Sequence, residues 1–130
     1  DGLTDILASQ VCKNIFGQQS GSLVWFEQPK SDVTKTGSWN KNSLVPGPDF
    51  LITTEMLNET TVIVYSAQFF DAKLVYYYLR IGVDKPYIVG GDGTVIDDTI
   101  GSVEGIQIVD VLKNGKKQIL VNNHLANGSL

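Results

Sequence analysis

The sequence predicts an all-β fold, on three observations. Apolar residues fall in short runs of strand length, rich in β-branched and aromatic side chains. Gly and Pro punctuate the intervals between runs, as in Pro46-Gly47-Pro48 and Gly90-Gly91-Asp92-Gly93. No segment sustains the 3.6-residue period of an amphipathic helix.

Taken in order, the runs repeat. Gly2-Leu3-Thr4-Asp5-Ile6-Leu7-Ala8-Ser9 opens the chain, and Leu23-Val24-Trp25-Phe26-Glu27 follows it. Trp39 then lies in a Ser/Asn-rich stretch, as a candidate loop anchor. Phe50-Leu51-Ile52-Thr53 precedes a second copy of the opening run, Asn58-Glu59-Thr60-Thr61-Val62-Ile63-Val64-Tyr65. Leu74-Val75-Tyr76-Tyr77-Tyr78 comes next, then the Gly-rich segment at 90–93, read as a hairpin turn. Gln107-Ile108-Val109-Asp110 leads to the third copy, Gly115-Lys116-Lys117-Gln118-Ile119-Leu120-Val121-Asn122.

Gly2 to Asn58 is 56 residues and Asn58 to Gly115 is 57. The flanking runs agree: Phe50 precedes Gln107 by 57 residues, and Leu23 precedes Leu74 by 51. The unit is thus about four short strands, which is what a propeller blade is. A β-sandwich would show short strands without this self-match. The expected fold is therefore a β-propeller fragment of about two four-stranded blades plus extra strand. The units are 1–57, 58–114 and the start of a third at 115–130 of one 1–130 domain. A closed propeller holds roughly four to eight blades. Its expected partners are thus the remaining blades of a parent protein or other copies of itself.

Composition limits the function. With 42% hydrophobic and 18% charged residues, the 130-residue chain can bury a core. The net charge is −4 and the tightest basic pair is Lys116-Lys117, which argues against nucleic acid as a partner. No apolar stretch approaches a membrane span. The abrupt start at Asp1-Gly2-Leu3 carries no leader, so a signal peptide is expected to be absent or removed. Two sequons, at Asn58 and Asn127, point to a secreted, extracellular glycoprotein. Cys12 is alone, so it reads as a buried or half-buried small apolar residue, or as half of an intermolecular disulfide.

The turn before each repeated strand resembles the loop of FG-GAP and VCBS repeats, Asp-x-Asp/Asn-x-Asp/Asn-Gly-x-x-Asp followed by an apolar strand. Its best copy is Asp110-Val111-Leu112-Lys113-Asn114-Gly115-Lys116-Lys117-Gln118, in which Asp110, Asn114 and Gly115 match. Leu112 and Gln118 replace two oxygen-ligand positions. The first copy keeps Asp1, Gly2 and Asp5, and in the second Thr53, Glu55, Leu57, Asn58 and Thr61 fill the loop. The resemblance implies calcium as a cofactor, with Asp1, Asp5, Asp110 and Asn114 as donors. Calcium takes six to eight oxygens, several of them anionic. The competing reading is a tight turn in which Gly and Asn supply positive φ. Gly21-Ser22-Leu23-Val24-Trp25-Phe26-Glu27-Gln28-Pro29 is also similar to the propeller part of fungal pyranosone dehydratases.

No catalytic constellation accompanies these features. His124 is the only histidine, so a multi-histidine zinc site or a rich Ser-His-Asp arrangement is excluded. Asp97-Asp98 reads as a solvated acidic loop, since adjacent strand residues point apart. The aromatics of the matched strands divide into an inward and an outward set. Trp25, Trp39 and Tyr77 are the candidate ligand surface. The function expected is a non-catalytic extracellular propeller module for glycan or ligand binding, adhesion or scaffolding. The rivals are the propeller portion of a larger secreted carbohydrate-active lyase or hydrolase, and a self-assembling structural subunit.

Overall fold

The protein is described from a computed structural model, over residues 4–30, Thr34, 39–49 and 51–124. Among them lie ten strands and no helix: β1 (Ile6–Lys13), β2 (Gln19–Glu27), β3 (Asn40–Pro46), β4 (Leu51–Asn58), β5 (Thr61–Gln68), β6 (Lys73–Arg80), β7 (Tyr87–Ile88), β8 (Thr94–Asp97), β9 (Ser102–Val109) and β10 (Gln118–His124). They form three antiparallel sheets in chain order, none of them closed: β1-β2-β3, then β4-β5-β6-β7 with β8 also on β6, then β9-β10. The all-β reading holds, although the strands per sheet vary.

The first hairpin runs from Ile6↔Phe26 to Lys13↔Gln19 and closes through Asn14–Gln18. Asn14 makes that turn: its Oδ1 accepts from the amides of Phe16 and Gln18 at 3.0 and 2.9 Å. In the second sheet, β4 and β5 meet at Asn58↔Thr61, leaving Glu59-Thr60 as a two-residue turn. Asn58 Oδ1 accepts from the Thr60 amide at 3.0 Å, the local bond that makes Asn a turn residue.

The Gly-rich segment is not the turn of a hairpin. Ile88 pairs with Leu79, and Thr94 pairs with Tyr76, so β7 and β8 occupy the same edge of β6. The segment interrupts one strand position rather than joining two neighbours. The second sheet is therefore a meander of four positions. A Cβ on Gly93 would meet Val75 Cγ1 at 2.4 Å and Tyr77 Cε1 at 2.5 Å, so only glycine lets the chain re-enter the edge here.

Alternation along the ladders places the core. Val62↔Leu79 and Val64↔Tyr77 put these four side chains on one face of the second sheet. With Val75 and Ile88 they pack on Leu23 and Val45 of the first sheet. Burial of each such aliphatic side chain contributes about 1.5–3 kcal/mol. The opposite face carries Tyr65, Tyr76 and Tyr78, whose rings lie 6.3 and 5.4 Å apart in sequence order. Strand β9 packs across β4 and β5.

The repeat is displaced relative to the sheets. The boundary at 57/58 falls at the last residue of β4, and the one at 114/115 falls inside the β9–β10 loop. Thr53, Glu55 and Leu57, which fill the loop positions of the second copy where the calcium-type pattern is lost, lie within β4. The match of Phe50–Thr53 to Gln107–Asp110 is also out of register. The ladders align the end of β4 (Asn58↔Thr61) with the end of β9 (Val109↔Gln118). A two-residue turn in one sheet and the Asp110–Lys117 loop in the other account for the slip. Likewise Leu7↔Trp25 corresponds to Ile63↔Tyr78, so Trp25 answers to Tyr78 rather than Tyr76, on the same face.

Candidate functional site

A cleft of about 810 Å³ opens between the first and second sheets. The cross-strand pair Leu7↔Trp25 supplies one wall, and Val62↔Leu79 supplies the other. Ile81 and Val83 extend the apolar lining beyond β6, where the Ile81 amide donates to the Thr60 carbonyl at 3.0 Å.

Charge gathers on the lining. Asp5, Glu27 and Asp84 set three carboxylates against the single ammonium of Lys30. Glu27 follows from alternation, lying two residues beyond Trp25 on the same face of β2. Asp5 is held by the end of β2: its Oδ1 accepts from the Gln28 amide at 2.9 Å, while the Thr4 amide donates to Gln28 Oε1 at 2.9 Å.

Trp25 is only 6% exposed, and its indole Nε1 is buried with no hydrogen-bond partner. A buried donor left unpaired costs about 1–3 kcal/mol. The cleft thus combines apolar walls with an acidic rim, and Trp25 in its wall carries a buried donor whose bond is unmade. That chemistry suits a ligand with an apolar face and an acceptor oxygen, as a sugar ring has.

The other sequence candidates do not converge on this cleft. Tyr77, expected on a ligand surface, is buried at 4% exposure, and its hydroxyl accepts from Gln68 Nε2 at 3.0 Å. Burial holds its phenol above the ordinary tyrosine range. The ladder turns Tyr76 and Tyr78 the other way, and Tyr78 is the exposed member. Trp39 is half-buried beside the start of β3. Cys12 is exposed rather than buried, because the far end of β1 projects beyond the core. His124 ends β10. Asp97 turns back on Thr99, accepting from its amide at 2.7 Å and its hydroxyl at 2.8 Å, and these bonds lower its pKa.

The calcium-type loop is built as a turn. Asp110 Oδ1 accepts from the Asn114 amide at 3.0 Å, and Oδ2 from the Gly115 amide at 2.7 Å. Asn114 Oδ1 accepts from Lys116 N, and Gln118 Oε1 from Val111 N. With Leu112 offering no oxygen and one carboxylate already engaged at both atoms, this donor set does not fit calcium. Asp1 and Asn127 lie outside the described residues. Among the described residues no three His, Cys, Asp or Glu side chains gather as metal ligands, and no helix is long and apolar enough to cross a membrane.

One polar group went unread in the sequence. Asp49, 3% exposed, accepts from the amides of Phe69 and Phe70 at 2.8 and 2.9 Å. It ties the β3–β4 connection to the β5–β6 turn. Pro46-Gly47-Pro48-Asp49 reads locally as an ordinary solvated turn, so only the remote amides reveal the role. The chain matches no family model, no curated protein and no solved structure.

Proposed function

We propose that the chain forms part of a β-propeller and works as a non-catalytic binding module outside the cell. Its site would be the cleft between the first two sheets, and its ligand class carbohydrate. The unpaired indole N–H of Trp25, buried in the wall of that apolar, acid-rimmed cleft and reached by a ligand once wall side chains part, carries the reading. A ligand oxygen accepting this bond would recover the donor's lost hydrogen bond, and the rim carboxylates would accept from hydroxyls. The propeller reading rests on successive antiparallel meanders and on the self-similar strands β1, β5 and β10. Further blades, from a longer chain or from other copies, are the partners it calls for. The secreted setting rests on the sequon at Asn58, which stands exposed at the end of β4, beside its turn.

Glycan-array binding by the intact protein, compared with Trp25→Phe, tests the proposal. The variant keeps an aromatic ring, smaller by the fused pyrrole, and deletes the orphan donor. Bound signal should fall while the variant still melts as one cooperative unit. Equal binding by both proteins would overturn the reading. The three rim carboxylates favour a second reading, the propeller portion of a carbohydrate-active enzyme. Glycan turnover lost on Glu27→Gln would support it.

A further inference from the structure

Among the described residues, the large apolar side chains most open to water lie at the far end of the first hairpin from the cleft. Ile15 is 93% exposed and Phe16 84%, on the turn between β1 and β2. Eight strand residues separate this tip from the cleft end, about 25 Å at the usual rise. Val11 on β1 is half-exposed, and Phe70 stands beside the start of β2 at the same end. Leaving two large apolar side chains in water is a free-energy loss that an apolar environment would recover.

The turn pairs four of its own amides internally. Asn14 N donates to Gln18 O at 2.9 Å and Gly17 N to Asn14 O at 3.0 Å, while Asn14 Oδ1 takes the amides of Phe16 and Gln18. Asn14 Nδ2 in turn donates to Gln18 Oε1 at 2.9 Å. Four amides of the tip therefore need no water. A lipid interface imposes that condition, because acyl chains offer no hydrogen bonds. Charge fits as well. From Ile6 to Phe26 the single charged residue is Lys13, at the base of the tip, where its ammonium can reach headgroup phosphates while the stem lies along the apolar layer.

We infer that the Ile15-Phe16 tip is a membrane-surface anchor, which seats the two side chains in the interfacial layer of a phospholipid bilayer. A projecting spike suits a fluid layer that closes round it, whereas a rigid protein partner needs a matching hole. The insertion spans no membrane; it holds the cleft turned away from the lipid. The inference does not depend on what the cleft binds.

The test is flotation of the full chain with phosphatidylcholine vesicles. The wild type should float, and Ile15→Ser/Phe16→Ser should lower partitioning about tenfold or more, from the apolar area withdrawn. These side chains touch little of the core, so melting should be unchanged. Phe16→Trp gives an independent readout: its added emission should shift to the blue on vesicle addition. Absence of flotation by the wild type, equal flotation by the double variant, or an unshifted Phe16→Trp emission would each overturn the inference. So would a lipid-free dimer abolished by the double variant, which would assign the tip to a protein contact.

Discussion

Gln68 Nε2 donates to the Tyr77 hydroxyl at 3.0 Å, and both side chains are almost closed to water. Gln68 Oε1 has no partner, so this bond is the amide's one connection among side chains described here. Tyr77→Phe should therefore destabilise the fold by about 1–3 kcal/mol, the penalty for a buried donor stripped of its acceptor. Gln68→Met combined with Tyr77→Phe should recover most of that loss, since both polar ends go together. Urea midpoints of the two variants decide the point.

The Asp49 carboxyl titrates above its ordinary value of 3.8, because burial disfavours the charge more than the Phe69 and Phe70 amides favour it. Between 3.8 and the raised folded value, the folded state holds a proton that the unfolded state has lost. Stability from this group is thus complete below 3.8 and declines as pH rises through the folded pKa. Wild type should lose stability relative to Asp49→Asn across that window, and the difference should be flat above it. Paired denaturation curves from acid to neutral pH measure it.

Gly93 crosses directly over Val75 and Tyr77. Gly93→Ala should cost about 1–3 kcal/mol through overpacking. The loss should appear in thermal melts, together with weakened amide protection in β8.

Lys117 Nζ lies 2.5 Å from Glu55 Oε1 and links the third sheet to β4. Lys117 is 54% exposed, so Lys117→Ala should cost at most about 1 kcal/mol, and less in high salt. A salt series on wild type and variant checks both parts.

The sequence carried the strand content because β5 and β6 are dense in β-branched and aromatic residues. It concealed β3, whose Asn40-Lys41-Asn42-Ser43 start is polar. It concealed β7 and β8 because a Gly-rich break divides one strand position. The self-match found the repeated run itself but slipped on the strands flanking it, since periodicity does not count turn residues. The site was half legible. Trp25 was singled out, but its neighbours Leu79, Ile81 and Asp84 join it only when two sheets meet. Strand alternation says which residues share a face, not which faces pack.

Among the described residues the strand ladders stay within their own sheets, and no ladder runs from one sheet to the next. The molecule is accordingly stiff along its strands and compliant between them. Widening the cleft disturbs side-chain packing but breaks no rung, so a bulky guest would be met by whole sheets pivoting rather than by fraying strands. Slow amide exchange should then sort by sheet, with the four-position meander last to open.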